Sequence, residues 1–161
     1  MQILAERFAA VNEAMIATGE LASVDGTPLD FRAPRAIGER IGDAYPQLRI
    51  ARGYDHCYDL GTHRQIKLAA RVSEPTSGRT LEVLTDAPGF QFYSGNFLDG
   101  TIQGRWSHPF AFRDGFCLEP GLFPDSPNQP NFAKAGYPSG ILHPGEPYEH
   151  TLVLRFGLVN G

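Results

Sequence analysis

The sequence predicts a mainly β, mostly antiparallel domain, and three observations carry that expectation. Glycine and proline are abundant, 18 and 13 of 161 residues, which favours many turns over long helices. The aromatic content is high, with 11 Phe and 6 Tyr, residues that fit half-buried pleated surfaces. From residue 53 onward the apolar pattern repeats every second residue, the period of a strand.

Taken in order, the first segment is ambiguous. In "ERFAAVNEAMIATGE" the residues Phe8, Val11 and Met15 fall at helical spacing, and Gly19 would end such a helix. "LDFRAPRAIGERI" reads as a loop entering one short helical turn. "GYDHCYDL" (53–60) alternates Tyr54, His56, Tyr58 and Leu60 against Asp55, Cys57 and Asp59. "IKLAARVS" and "TLEVLTD" flank a turn with Ser77-Gly78, the chemistry of a hairpin. "PGFQFYSGN" places Gln91 and Tyr93 on one face and Phe90 and Phe92 on the other. Phe116 to Glu119 reads as a short strand whose Phe116 and Leu118 point inward. Pro144-Gly145 signals a type II turn, and "EHTLVLRFGL" closes the chain as an alternating strand. Long loops are expected at 98–114 and 120–148. One domain spans 1–161, with no internal repeat.

Composition bounds the partners. The formal net charge is −4, and no run of Lys or Arg suggests a nucleic-acid groove or a polybasic membrane segment. No apolar run is long enough to span a bilayer. Cys57 and Cys117 are too few for a secreted disulfide framework, and no signal peptide is read. The expectation is a cytoplasmic protein with free thiols, and with neither nucleic acid nor membrane as partner. There is no Gly-x-Ser-x-Gly, Walker A, dinucleotide or Cys-x-x-Cys pattern.

Three residues stand out as candidates. Glu119 ends an apolar strand and is followed by a loop stiffened by Pro124 and Pro127. A carboxylate held among apolar groups is desolvated and suited to work as a general base. The plainer alternative is a solvated strand-end Glu. Asp55 lies in an aromatic strand where Asp is disfavoured. Gln91, flanked by Phe90, Phe92 and Tyr93, could orient a hydroxyl-rich ligand. His56 alternates to the face opposite Asp55 and reads as a core histidine. His63, His108, His143 and His150 lack ligand spacing, so no metal is expected.

In order along the chain, "TGE", "GTPLDFRAPRAIGERI", "GYDHCYDL", "LTDAPGFQFYSGNFLDGT", "GFCLEPGLFPDSPNQPNF" and "YPSGILHPGEPYEHTLVLRF" resemble the C-terminal half of the aldose 1-epimerase (galactose mutarotase) family. The resemblance implies an antiparallel β-sandwich, part of a galactose mutarotase-like supersandwich, with no cofactor. It implies interconversion of the α and β anomers of a free hexose such as glucose or galactose. Glu119 matches the family's catalytic base; Asp55 and Gln91 match residues that bind the sugar. It also implies that "RFAAVNEAMIATGE" is extended, and that reading is preferred here to the helical one, because propensity is a weak prior.

The chain departs from the family in two respects. The Asn-His-x-Tyr-Phe-Asn-Leu segment that carries the family's acid histidine is not in this sequence. The family's Cys-Leu-Glu-Thr-Gln reads "CLEPG" here. Half a sandwich exposes apolar faces and sheet edges, so a homo-oligomer is expected, in which His56, His108 or His150 could stand in as the acid. The alternative is a sugar-binding module without catalysis.

Overall fold

A computed structural model describes residues 1–159. Nine strands form two antiparallel sheets. They are β1 (Gln2–Ile3), β2 (Arg7–Val11), β3 (Ala17–Ser23), β4 (Asp55–Asp59), β5 (Lys67–Ser73), β6 (Arg79–Thr85), β7 (Gly89–Tyr93), β8 (Cys117–Gly121) and β9 (Leu152–Leu158). One sheet runs β1-β5-β6-β9 and the other β3-β2-β4-β7-β8. Two short helices, α1 (Pro46–Ala51) and α2 (Pro130–Lys134), and three 3₁₀ turns complete the description.

The period-two pattern decides which face of the five-stranded sheet is buried. Tyr54, His56 and Tyr58, with Phe90 and Phe92 of β7, are almost wholly buried. They meet Ile3, Ala70 and Val83 of the other sheet in one core, against which Leu118 packs. Phe31, Tyr54 and Phe92 are mutually in aromatic contact, Tyr54 and Phe92 stacked at 5.2 Å. Such pairs add to area burial.

The N-terminal segment is extended, and the helical spacing of Phe8, Val11 and Met15 is a coincidence of the hairpin. β2 and β3 pair antiparallel with a register shift between Ala9 and Val11. The Asn12 side chain accepts from the N–H groups of Ala14 and Ile16, and Met15 takes a positive φ of 61°. A side chain bonded to its own turn competes with helix formation. The expected short helical turn is the 3₁₀ turn Ile37–Glu39, and the Ser77-Gly78 hairpin joins β5 to β6. Phe116 departs from expectation. It lies just before β8 and is 43% exposed, although its ring edge meets Phe92. β9 also departs. Its apolar residues Leu152, Leu154, Phe156 and Leu158 are all exposed, because the five-stranded sheet does not extend over them.

The 120–148 stretch is more than a loop. It folds back over the outer face of the five-stranded sheet, where Phe123, Phe132 and Tyr137 pack on Ala9, Ala17 and Cys57. A buried carboxylate anchors it. Asp59 accepts from Arg7 Nε (2.9 Å) and Nη2 (2.6 Å), from the Tyr137 hydroxyl (2.7 Å) and from Gly61 N–H (2.8 Å). A fully bonded buried carboxylate of this kind is costly to disturb.

His56 is a buried core side chain. Its Nδ1 accepts from the Asp55 N–H (3.1 Å), its ring meets Phe8 edge-on at 5.6 Å, and its Nε2 has no hydrogen-bond partner. Burial lowers its pKa from 6.5 to about 4.

Two outcomes follow. A base with a depressed folded pKa is neutral in the fold, while the unfolded chain takes up a proton below about pH 6.5. Stability should therefore fall by about 3 kcal/mol as pH drops from 6.5 to 4. Urea titrations across that range should show a flatter pH dependence in His56→Phe. Tyr137→Phe leaves one bond to the buried Asp59 carboxylate unmade and should lower unfolding free energy by about 1.5–3 kcal/mol.

Candidate active site

The register of three adjacent strands assembles the site. In β4–β7 pairing Asp55 lies opposite Tyr93 and Cys57 opposite Gln91. In β7–β8 pairing Gln91 lies opposite Glu119 and Tyr93 opposite Cys117. Asp55, Gln91 and Glu119 thus share the outer face, the face away from the aromatic core. Directly opposite residues on neighbouring strands have Cβ atoms about 4.5–5.5 Å apart, so Gln91 and Glu119 are close neighbours. The Gln91 amide Nε2 reaches diagonally to Asp55 Oδ1 at 2.7 Å.

Burial separates the two carboxylates. Asp55 is half-buried, and burial raises its pKa, an effect partly offset by the hydrogen bond from Gln91. Glu119 is exposed, and this corrects the expectation of a desolvated carboxylate. β8 is the outermost strand of its sheet, and among the described residues nothing packs over position 119. Pro120, which has no N–H to donate, suits such an edge. The loop behind β8 nevertheless meets the site, because Pro124 forms part of its wall.

That wall encloses a hollow of about 100 Å³ lined by Ala9, Val11, Met15, Ala17, Asp55, Cys57, Gln91 and Pro124. Enclosing ligand pockets are usually about 300–1,000 Å³. This hollow is smaller, and of the three candidates only Asp55 and Gln91 line it; Glu119 lies outside the lining, on the neighbouring strand opposite Gln91. Gln91 Oε1 is buried at this place without a hydrogen-bond partner. Most buried acceptors are satisfied; this one is closed to a water-sized group, so a ligand hydroxyl can donate to it only after the Gln91 amide turns toward the hollow.

The positions of Asp55 and Gln91 depend on groups the sequence reading did not single out. Ser94 Oγ accepts from the Tyr54 N–H (2.9 Å) and donates to Asn96 Oδ1 (2.7 Å), while Asn96 Nδ2 donates to the carbonyls of Ala51 and Tyr54 (both 2.9 Å). Gly53, at φ 147°, leaves room for the Asn96 amide, where a Cβ would collide. This buried knot fixes the start of β4. The unbroken "SGN" after an aromatic strand was the available signal. Gly89 plays a similar part, since a Cβ there would meet Cys57 Sγ at 2.8 Å and Gly121 O at 3.0 Å.

No histidine faces the hollow among the described residues. His56 lies on the opposite face of β4, in the core. His150 is bonded to Thr85 Oγ1 (3.0 Å) and lines a different cavity, of about 140 Å³, with Asp86 and Gly121. His108, in the 98–114 loop, is largely exposed and stands 3.7 Å from Asp114. Both cysteines are free thiols; burial pushes the Cys57 thiol up to about 12, leaving it protonated. No group of three or more His, Cys, Asp or Glu side chains able to hold a metal occurs among the described residues, and no helix there is long and apolar enough to cross a membrane.

Comparison with known proteins bears on this arrangement. The family model described as aldose 1-epimerase matches residues 1–155. Galactose mutarotase of Bos taurus is 42% identical over 156 residues, 97% of this chain and 43% of that protein. Aldose 1-epimerase of Escherichia coli is 38% identical over 157 residues, 97% of this chain and 44% of that protein. Among solved structures, a GalM/aldose epimerase homologue from C. elegans aligns with a TM-score of 0.76 at 24% identity, covering 99% of this chain and 45% of the other. Galactose 1-epimerase from Lactobacillus acidophilus aligns with a TM-score of 0.67, covering 98% and 43%. These two likenesses show the fold, a mainly β architecture of aldose-epimerase type. The chain spans less than half the length of the curated relatives it matches, and over that span it belongs to the aldose 1-epimerase family.

Proposed function

We propose that this chain carries the base side of a mutarotase site, with a free aldohexose as substrate, Glu119 as general base, and Asp55 and Gln91 as ligands of the sugar hydroxyls. The observation that carries the reading is the convergence of these three side chains on one face of β4, β7 and β8, beside a buried amide oxygen with no partner.

The chemistry needs little else. Glu119 takes the proton from the anomeric O1–H of the cyclic hemiacetal. The C1–O5 bond breaks as O5 takes up a proton, leaving an open-chain aldehyde. Rotation about C1–C2 presents the other face of the carbonyl. O5–H then adds to C1 and gives its proton back to water, while O1 recovers its proton from Glu119, which gives the other anomer with no net change in atoms or charge. General-base assistance of this kind is worth about 10²–10⁴-fold. Asp55 and Gln91 hold the ring while C1 turns, Gln91 accepting through Oε1 and Asp55 through its carboxylate. Protonation of O5 falls to water in this chain, since no imidazole faces the hollow among the described residues.

The exposed Glu119 and the small hollow favour one alternative, a sugar-binding surface without catalysis. Polarimetry of freshly dissolved α-galactose and α-glucose separates the two. The proposal expects equilibration above the buffer-catalysed rate with the purified chain, and a return to that rate in Glu119→Gln. Saturable sugar binding with an unchanged rate supports the alternative. Absence of both would sink both readings.

Asp55→Asn should weaken sugar affinity about ten- to hundredfold, the cost of losing a hydrogen bond to a charged group; NMR titration would measure it. The same variant has a signature in stability. A carboxylate whose folded pKa is raised destabilises the fold as pH rises through that pKa. Asp55→Asn should therefore gain stability relative to wild type with rising pH in the acidic range, then hold that gain at neutral pH.

A further inference from the structure

Four strand edges bound the two sheets among the described residues, and three of them are blunted. β1 is only two residues long. β3 is covered by the start of α2, where Gln129 Nε2 donates to the Ala17 carbonyl at 2.6 Å. β8 carries Pro120. β9 is different. It has seven residues, LVLRFGL, without proline, and among the described residues it pairs only with β6. Among the described residues no strand lies beside its second line of backbone N–H and C=O groups. Natural proteins seldom leave a long, regular edge in this condition.

The side chains on β9 point to the same conclusion. The register puts Leu152 opposite Thr85, Leu154 opposite Val83 and Phe156 opposite Leu81. Val83 is fully buried in the sandwich core and Leu81 packs against it. This face of β9 therefore continues the core surface past the reach of the five-stranded sheet. Leu154 is 48% exposed and Phe156 78%.

We propose that this edge pairs with the β9 edge of a second copy, antiparallel about a twofold axis at Leu154. The strand is its own complement in that register. Leu154 meets Leu154 of the second copy, Leu152 meets Phe156 of the second copy, and Val153 lies opposite Arg155 of the second copy. Apolar groups thus face apolar groups on the core side, where cross-strand pairs stabilise a sheet. Arg155, the strand's one charge, does not face its own image. It points to the other side, 3.8 Å from Glu82. The two four-stranded sheets become one eight-stranded sheet, and the contact is isologous, so it closes at two copies. The proposal does not depend on Glu119 or on catalysis.

Sedimentation equilibrium on the full chain, from about 1 to 100 µM, tests it. The expected result is a reversible dimer at twice the chain mass, with Leu154→Lys and Phe156→Lys shifting dissociation at least tenfold toward monomer. Both positions are exposed, so circular dichroism of these variants should match wild type. Amide hydrogen exchange supplies a readout that needs no variant: half of the β9 amides should exchange more slowly at high concentration. A monomer throughout the range, a dimer unaffected by both lysines, or open-ended oligomers would each overturn the proposal.

Discussion

The pairing of β4, β7 and β8 is the constraint on which the rest of this structure depends. Because side chains alternate across a sheet, a single register fixes both faces at once. On one face it stacks Tyr54, His56 and Tyr58 against Phe90 and Phe92, the centre of the core. On the other it gathers Asp55, Gln91 and Glu119. A slip of one residue would expose five aromatic or imidazole rings and turn three carboxylates, those of Asp55, Asp59 and Glu119, toward the core. The apolar face therefore enforces the position of the polar one. The site is precise because the burial beneath it is large, and no interaction among the three polar residues has to supply that precision.

Packing on the outer face follows from the same arrangement. The segment after β8 has to cover Ala9, Ala17 and Cys57, and does so with Phe123, Phe132 and Tyr137. Asp59 ties that cover to β2 through Arg7 and to the segment's end through Tyr137. The cover stops at Pro124, and the hollow begins there. The loop stiffened by prolines thus walls the site rather than enclosing Glu119, which stays exposed at the sheet margin. The core is closed at this end of the molecule and open at β9, where apolar side chains lie beyond the second sheet.

Much of this was legible in the residues. The strict alternation of "GYDHCYDL" and "GFQFY" announces strands whose two faces differ, and the structure places His56 in the core as that alternation requires. The β2–β3 hairpin was ambiguous because Phe8, Val11 and Met15 mimic a helical stripe. The bonds of the Asn12 side chain, which settle it, are not visible as a pattern. Helix α1 is six residues long with no side-chain N-cap bond, so it left little signal. The Asp59–Tyr137 bond joins residues 78 apart in sequence, and nothing local predicts it. The exposure of Glu119 was not readable either, because whether a strand lies at an edge is a property of the whole sheet. The family resemblance supplied the roles proposed for Asp55, Gln91 and Glu119 in one sugar site. The pattern alone offered a general-base candidate at Glu119, a hydroxyl-orienting amide at Gln91 and an Asp in an unfavourable strand at Asp55.

The central claim is that these three side chains form one surface for a sugar. The most direct test is an NMR titration of the wild-type chain with D-galactose, following the side-chain carboxyl carbons of Asp55 and Glu119 and the amide of Gln91. The account predicts saturable shifts at all three with a common dissociation constant. Shifts confined to another part of the surface, such as the cavity beside His150 and Asp86, or no shift at any of the three, would contradict it.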